Sequence, residues 1–182
     1  MSSSAIVIEQ TQEEAKLAFE VHQHAALSRI RLARAKIESK APEGAKGPLA
    51  VRFRIRSKAL ENAPKDVLRL EIAFRMDARQ EGEQAYAAVV DCAFETDYLL
   101  LQGFVPGPDH VRAFRKGNAV FNVWPYFREF LQNNLVRMGY PPLTAPFLRL
   151  QPRMGKELQQ QALRKPNRKP AKSPTERARS LT

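Results

Sequence analysis

The stretch Phe121-Asn122-Val123-Trp124-Pro125-Tyr126-Phe127-Arg128-Glu129-Phe130 packs five aromatic residues around a single proline. Phe121, Trp124, Leu131, Leu135 and Met138 follow helical spacing, and Val120, Phe127 and Phe130 widen the stripe beyond what covering one sheet face requires. The spacing predicts a helix from Asp109 to about Gly139, in two pieces. Gly117 loosens it, and Pro125 removes a backbone hydrogen bond and bends it. Asp109 is the expected N-cap and Gly139 the expected C-cap.

C-terminal to this helix, Tyr140-Pro141-Pro142-Leu143-Thr144-Ala145-Pro146-Phe147 has to run extended, because a residue before proline is pushed out of the helical region. Part of Leu148 to Leu163 is expected to be helical, with Pro152 and Gly155 arguing against one continuous helix. N-terminal to the helix, Gly103-Phe104-Val105-Pro106-Gly107-Pro108 breaks a run of strand patterns. Leu49, Val51, Phe53 and Ile55 alternate with Arg52, Arg54 and Arg56. Leu68, Leu70, Ile72, Phe74 and Met76 alternate with Arg69, Glu71, Arg75 and Asp77. Tyr86, Ala88, Val90, Cys92 and Phe94 form one face of a third strand, whose other face is unusually apolar for solvent.

Leu27 to Glu38 suits either a helix or a strand with a phase slip; we read it as a bulged strand. Thr11-Gln12-Glu13-Glu14 opens a short helix with a capping box. Short connections between consecutive strands favour an antiparallel meander over a parallel sheet, which needs helical crossovers. The expected class is α+β, a four-stranded antiparallel sheet with a long Pro-kinked helix and a short second helix. Its divisions are an extension with a short helix over residues 1–26, a folded unit over 27–155 and a basic, disordered tail over 156–182.

The 182 residues, 43% of them apolar, suffice for one packed core. Neither an apolar run long enough to cross a bilayer nor a signal-peptide pattern occurs, so the expected location is the cytoplasm. Cys92 stands alone, which excludes an internal disulfide, and a buried structural role is the commoner reading of such a thiol. His22, His24 and His110 with one cysteine do not make a structural zinc set, and no metal or cofactor is expected. Paired carboxylates, Cys/His arrangements at usable spacing and phosphate-binding glycine loops are all missing, so no enzyme is expected. The net charge of +11 points first to nucleic acid, but residues 156–182 hold eight Lys and Arg against Glu157 and Glu176. With Pro166, Pro170 and Pro174 interspersed, that segment has too little apolar surface to order itself.

An antiparallel sheet, a Gly/Pro loop, a long bent helix and a Pro-rich connector follow one another here. Within them lie aromatic-Pro-Tyr-x-Arg-Glu, then Arg137, the Tyr140-Pro141-x-Leu143 exit and Ala145-Pro146. This order resembles the SecB-like protein-export chaperones over roughly residues 27–150. The resemblance implies a dimer of dimers that holds non-native polypeptides in aromatic-lined grooves without nucleotide or metal. Clients are delivered to the translocase ATPase or, in relatives, an antitoxin is protected. By position, Tyr126 matches a groove aromatic, Trp124 is its neighbour, Phe121 and Phe127 share the stripe, and Phe147 lies near the groove's other wall. Beside that stands the plain reading of an aromatic stripe as core or oligomer interface. Tyr126 suits a groove best, because its hydroxyl favours a partly wet boundary; Arg128 and Glu129 read as structural.

The family docks its ATPase partly through acids on the exposed sheet face, and Asp91 with Val89 falls at such a contact pair. Lys36 and Lys40 stand where acids are expected, which reverses the local sign and counts against delivery to the translocase. A stand-alone or toxin–antitoxin-linked chaperone is at least as well supported. The alternative class is an RNA- or ribosome-associated basic protein using Arg52, Arg54, Arg56 and the tail, although the strands carry no aromatic-rich RNA motif.

Overall fold

The computed structural model describes residues 5–39, 49–80, 86–101, 103–140 and 143–153. The elements run β1 (Ile6–Gln10), α1 (Gln12–His24), β2 (Ala25–Ser39), β3 (Leu49–Ala59), β4 (Val67–Gln80), β5 (Tyr86–Leu100), α2 (Pro108–Lys116), α3 (Asn118–Arg137) and β6 (Leu148–Pro152). The architecture is α+β, a four-stranded antiparallel sheet carrying helices on one face.

The sheet order is β2-β5-β4-β3. Only β3, β4 and β5 make the expected meander; β2 pairs with β5 and so lies at the far edge from β3, a Greek-key order. β2 and β3 therefore lie three strand spacings apart, about 14 Å. β2 is a strand, as expected, and its phase slip is real: the register shifts between Leu27 and Arg29 and again between Leu32 and Arg34.

The helix-facing side of β4 and β5 supplies the core. Leu70, Ile72, Phe74, Met76, Val90, Cys92 and Tyr98 are all buried beneath α2 and α3. Burial pushes the Cys92 thiol up to about 12, so it stays protonated and inert at neutral pH. α2 begins at Pro108 rather than Asp109, since the proline's fixed φ is already helical and its missing N–H costs nothing there. Gly117 separates α2 from α3, and a Cβ at this position would collide with the buried Gln10 side chain, whose Nε2 donates to Ala113 O at 3.3 Å. α3 passes through Pro125 and is bent. It ends with Gly139 at φ 77°, Tyr140 N donating to Leu135 O and Gly139 N to Val136 O, both at 3.0 Å, which is a Schellman ending.

α1 carries the expected capping box. Glu14 N donates to Thr11 Oγ1 at 3.1 Å and Thr11 N to Glu14 Oε2 at 2.8 Å. That backbone donor, with Lys116 beside it, holds the Glu14 carboxyl below its usual range. Ala18 and Val21 of α1 enter the same core as the sheet. Leu148–Pro152 is a strand where partial helix was expected. It pairs in parallel with β1, Ile6 opposite Leu148, and buries Leu148. Residues beyond Arg153, the basic tail included, lie outside the described residues, as does Lys40. No helix among the described residues is long and apolar enough to cross a membrane.

Candidate functional site

α3 is amphipathic in an unusual sense, because it is apolar on more than the face it buries. Val120, Val123, Trp124, Phe127, Leu131 and Leu135 point at the sheet and are buried. Phe127 stacks on Phe74 at 4.5 Å between ring centroids, and Trp124 meets Phe74 at 5.7 Å and the edge of Phe53 at 6.3 Å. The Trp124 Nε1 donates to Pro146 O at 3.1 Å, tying the Pro-rich connector to the helix. Trp124, 4% exposed, and Phe127 are therefore core side chains.

The remaining aromatic candidates are open to solvent: Phe121 is 51% exposed, Tyr126 48% and Phe147 62%. They do not form one patch. At about 100° per residue, Phe121 and Arg128 lie on one flank of α3, two turns apart. The Arg128 guanidinium sits over the Phe147 ring, 5.0 Å from its centroid, so this flank is a band of Phe121, Arg128 and Phe147 beside the connector. Tyr126 lies about 140° around the helix from Phe121, next to Phe130 one turn on. The Phe130 ring meets Phe94 of β5 edge-on at 6.4 Å, and Leu32 of β2 is the cross-strand neighbour of Phe94. Leu32 and Leu27, both exposed on the helix-facing side of β2, continue this second band.

β2 explains why the second band is open. Of its apolar residues only Ala25, Ile30 and Ile37 are partly covered, so the edge strand offers an apolar face and, among the described residues, a backbone rim that pairs with no further strand. Phe130, Leu32 and Leu27 were not singled out as site residues from the sequence. The signal for them is two leucines on a strand whose partner pattern places them opposite Phe94 and Tyr98.

The sheet's other face is a charge lattice. Arg29 and Arg69 hold Asp97, whose carboxyl lies below its usual range chiefly because Arg69 donates to it. Arg31 pairs with Glu95, and Lys58 with Glu71 at 3.4 Å. Asp91 is on this face, engaged by Arg34 at 3.0 Å and Arg75 at 3.6 Å. Val89, two residues before it, is buried, and Lys36 is paired with Glu38 at 2.7 Å.

No family model matches the chain, and no curated protein matches it. Among solved structures, a SecB-like chaperone of Mycobacterium tuberculosis, in complex with a ChAD peptide from an antitoxin, overlays with a TM-score of 0.63 at 21% identity. The overlay covers 72% of this chain and 96% of that one. A protein of unknown function from Streptococcus agalactiae overlays at 0.44 and 8% identity, over 68% and 97% of the two chains. With its antiparallel sheet, bent α3 and extended connector, the chain has the SecB-like fold.

Proposed function

We propose that the protein is an ATP-independent holdase chaperone that binds non-native polypeptide segments along the two apolar bands flanking α3. The observation carrying this reading is that Phe121, Tyr126 and Phe147 stay about half exposed while Trp124 and Phe127 already satisfy the core. Exposed aromatics that packing does not need bury a client's apolar side chains at about 25 cal/mol per Å² without a sequence code. Trp124 and Phe127 hold the bands from beneath. Assembly as a dimer of dimers fits the open, apolar edge of β2.

An antitoxin-type client is favoured over delivery to the translocase ATPase. The acidic docking contact expected at Asp91 is neutralised by Arg34 and Arg75, and the apolar contact expected at Val89 is covered. The solved chaperone of the same fold was captured with an antitoxin peptide, which supports the same preference.

The test is suppression of aggregation of an unfolded model client, with the full chain and with a version ending at Gly155. Suppression that survives truncation, and falls several-fold in Tyr126→Ser while the oligomer persists, is the expected result. A protein inert toward the client sinks the reading. Loss of the oligomer in Tyr126→Ser would instead make that residue an interface group.

A further inference from the structure

The outer face of the sheet, opposite the helices, is a second surface with its own chemistry. Cross-strand register arranges its side chains in rows. At one end the rows compensate themselves: Arg29, Asp97 and Arg69 form one, and Arg31, Glu95, Glu71 and Lys58 the next. The compensation then thins toward β3. The following row is Arg34, Ala93, Ala73 and Arg56, with no acid of its own and two alanines as its floor, and in the row beyond it Asp91 lies beside Arg75 while Arg75 and Arg54 stand directly opposite each other. Like charges on facing positions repel, so both arginines lean on Asp77, which is almost wholly buried between them. Arg34, Arg54, Arg56, Ala73, Arg75 and Asp91 line a concavity of about 440 Å³.

The side chains of Arg52 and Arg56 have no ion-pair or hydrogen-bond partner among the described residues. Both are on β3, which pairs with β4 alone among the described residues, while next to Arg56 the Ser57 carbonyl accepts from the Arg115 guanidinium. Successive outward positions on a strand are about 6.7 Å apart, the same period at which an extended peptide presents alternate side chains. A peptide running along β3 with acids at every second position therefore sets one carboxylate beside each of Arg52, Arg54 and Arg56. Guanidinium and carboxylate match as planar two-pronged partners, and the rim of β3 before Ser57 can pair with the peptide backbone.

We propose that this edge and its arginine concavity bind an extended acidic peptide with carboxylates at alternate positions, at a site separate from the apolar bands beside α3. A nucleic acid strand fits the face less well. Asp91, Glu71, Glu95 and Asp97 interrupt any continuous cationic track, and the outward positions of all four strands carry no aromatic ring for a base to stack on.

The experiment is fluorescence anisotropy on the full chain with a labelled peptide of alternating Glu and Thr. Three competitors accompany it: the Gln-for-Glu version, a peptide of the same composition with its acids consecutive, and a single-stranded RNA of equal length. The alternating peptide is expected to bind best and to weaken with salt, and Arg56→Gln to lower its affinity about tenfold, as expected for one lost charge-assisted contact. Arg29→Gln, at the compensated end of the face, is expected to leave binding unchanged. Equal binding of the Gln version or of the consecutive-acid peptide, tighter binding of the RNA, or an unaffected Arg56→Gln protein would overturn the proposal. Because Arg56 is exposed and unpartnered among the described residues, its replacement leaves the fold intact, and circular dichroism checks that directly.

Discussion

Trp124 and Tyr126 are two residues apart in one motif and meet opposite environments: one ring is sealed against Phe74 and donates to Pro146, the other is about half in water. The difference is rotational. Two residues turn a helix by about 200°, so neighbouring aromatics in a single apolar stretch serve different layers of the molecule. A stripe wider than the core can use leaves its flanks for something else, and here those flanks continue onto Phe147 on one side and onto Leu32 and Leu27 of β2 on the other.

The sharpest way to break the contrast is from the buried side. Phe127→Ala removes a ring fully enclosed by Phe74, Phe53 and Trp124 and is expected to cost about 3–5 kcal/mol, read as a fall in the urea midpoint at unchanged slope. A loss below about 1 kcal/mol would mean that the ring is not core. Trp124→Phe keeps an aromatic body but abandons the Pro146 carbonyl and leaves a void; about 1–3 kcal/mol is expected, with the connector loosening as faster amide exchange at Phe147 and Leu148.

Acid sharpens the comparison by probing the far side of the sheet. Asp97 has a folded pKa below its unfolded value of about 3.9, so its contribution is fully present above that value and disappears as pH falls through the folded one. Asp97→Asn is expected to cost about 1–2 kcal/mol at pH 7 and to show a shallower decline in melting temperature between about pH 5 and 3 than the parent chain. An equal decline would assign the acid sensitivity to other carboxylates, Glu14 first among them. The smallest stability effect belongs to Tyr126→Ser, within about 0.5 kcal/mol of the parent, although its effect on client holding is the largest of the four. A Tyr126→Ser protein as unstable as Phe127→Ala would erase the distinction between the two environments.

Much of this was legible in the sequence, for identifiable reasons. β3 and β4 advertise themselves through strict alternation, and half-buried Val51, Phe53 and Ile55 against exposed Arg52, Arg54 and Arg56 follow it position by position. The capping box at Thr11, the break at Gly117 and the ending at Gly139 rest on local chemistry that needs no partner. β1 and β6 were missed because each is only five residues long and exists through the other; no window contains both. The outer side of β5 is more apolar than a solvent-facing surface needs to be. Ala87, Val89 and Ala93 are buried there, on a face crowded with long arginine side chains whose stems can cover small apolar neighbours. For the candidate site, the motif puts its aromatics on α3, but their division between core and flank depends on the angle at which α3 meets the sheet, which periodicity alone leaves open.

The parallel pairing of Ile6 with Leu148 also carries a timetable. During synthesis Ile6 to Gln10 leave the ribosome long before Leu148 to Pro152 exist, and at about 5–20 residues per second the wait lasts roughly 7–30 s. Gln10, locked against Ala113 and Gly117 in the finished fold, is adrift for most of that time. Under the proposed function, a holder of other proteins' unfinished segments passes through a period with an unfinished segment of its own.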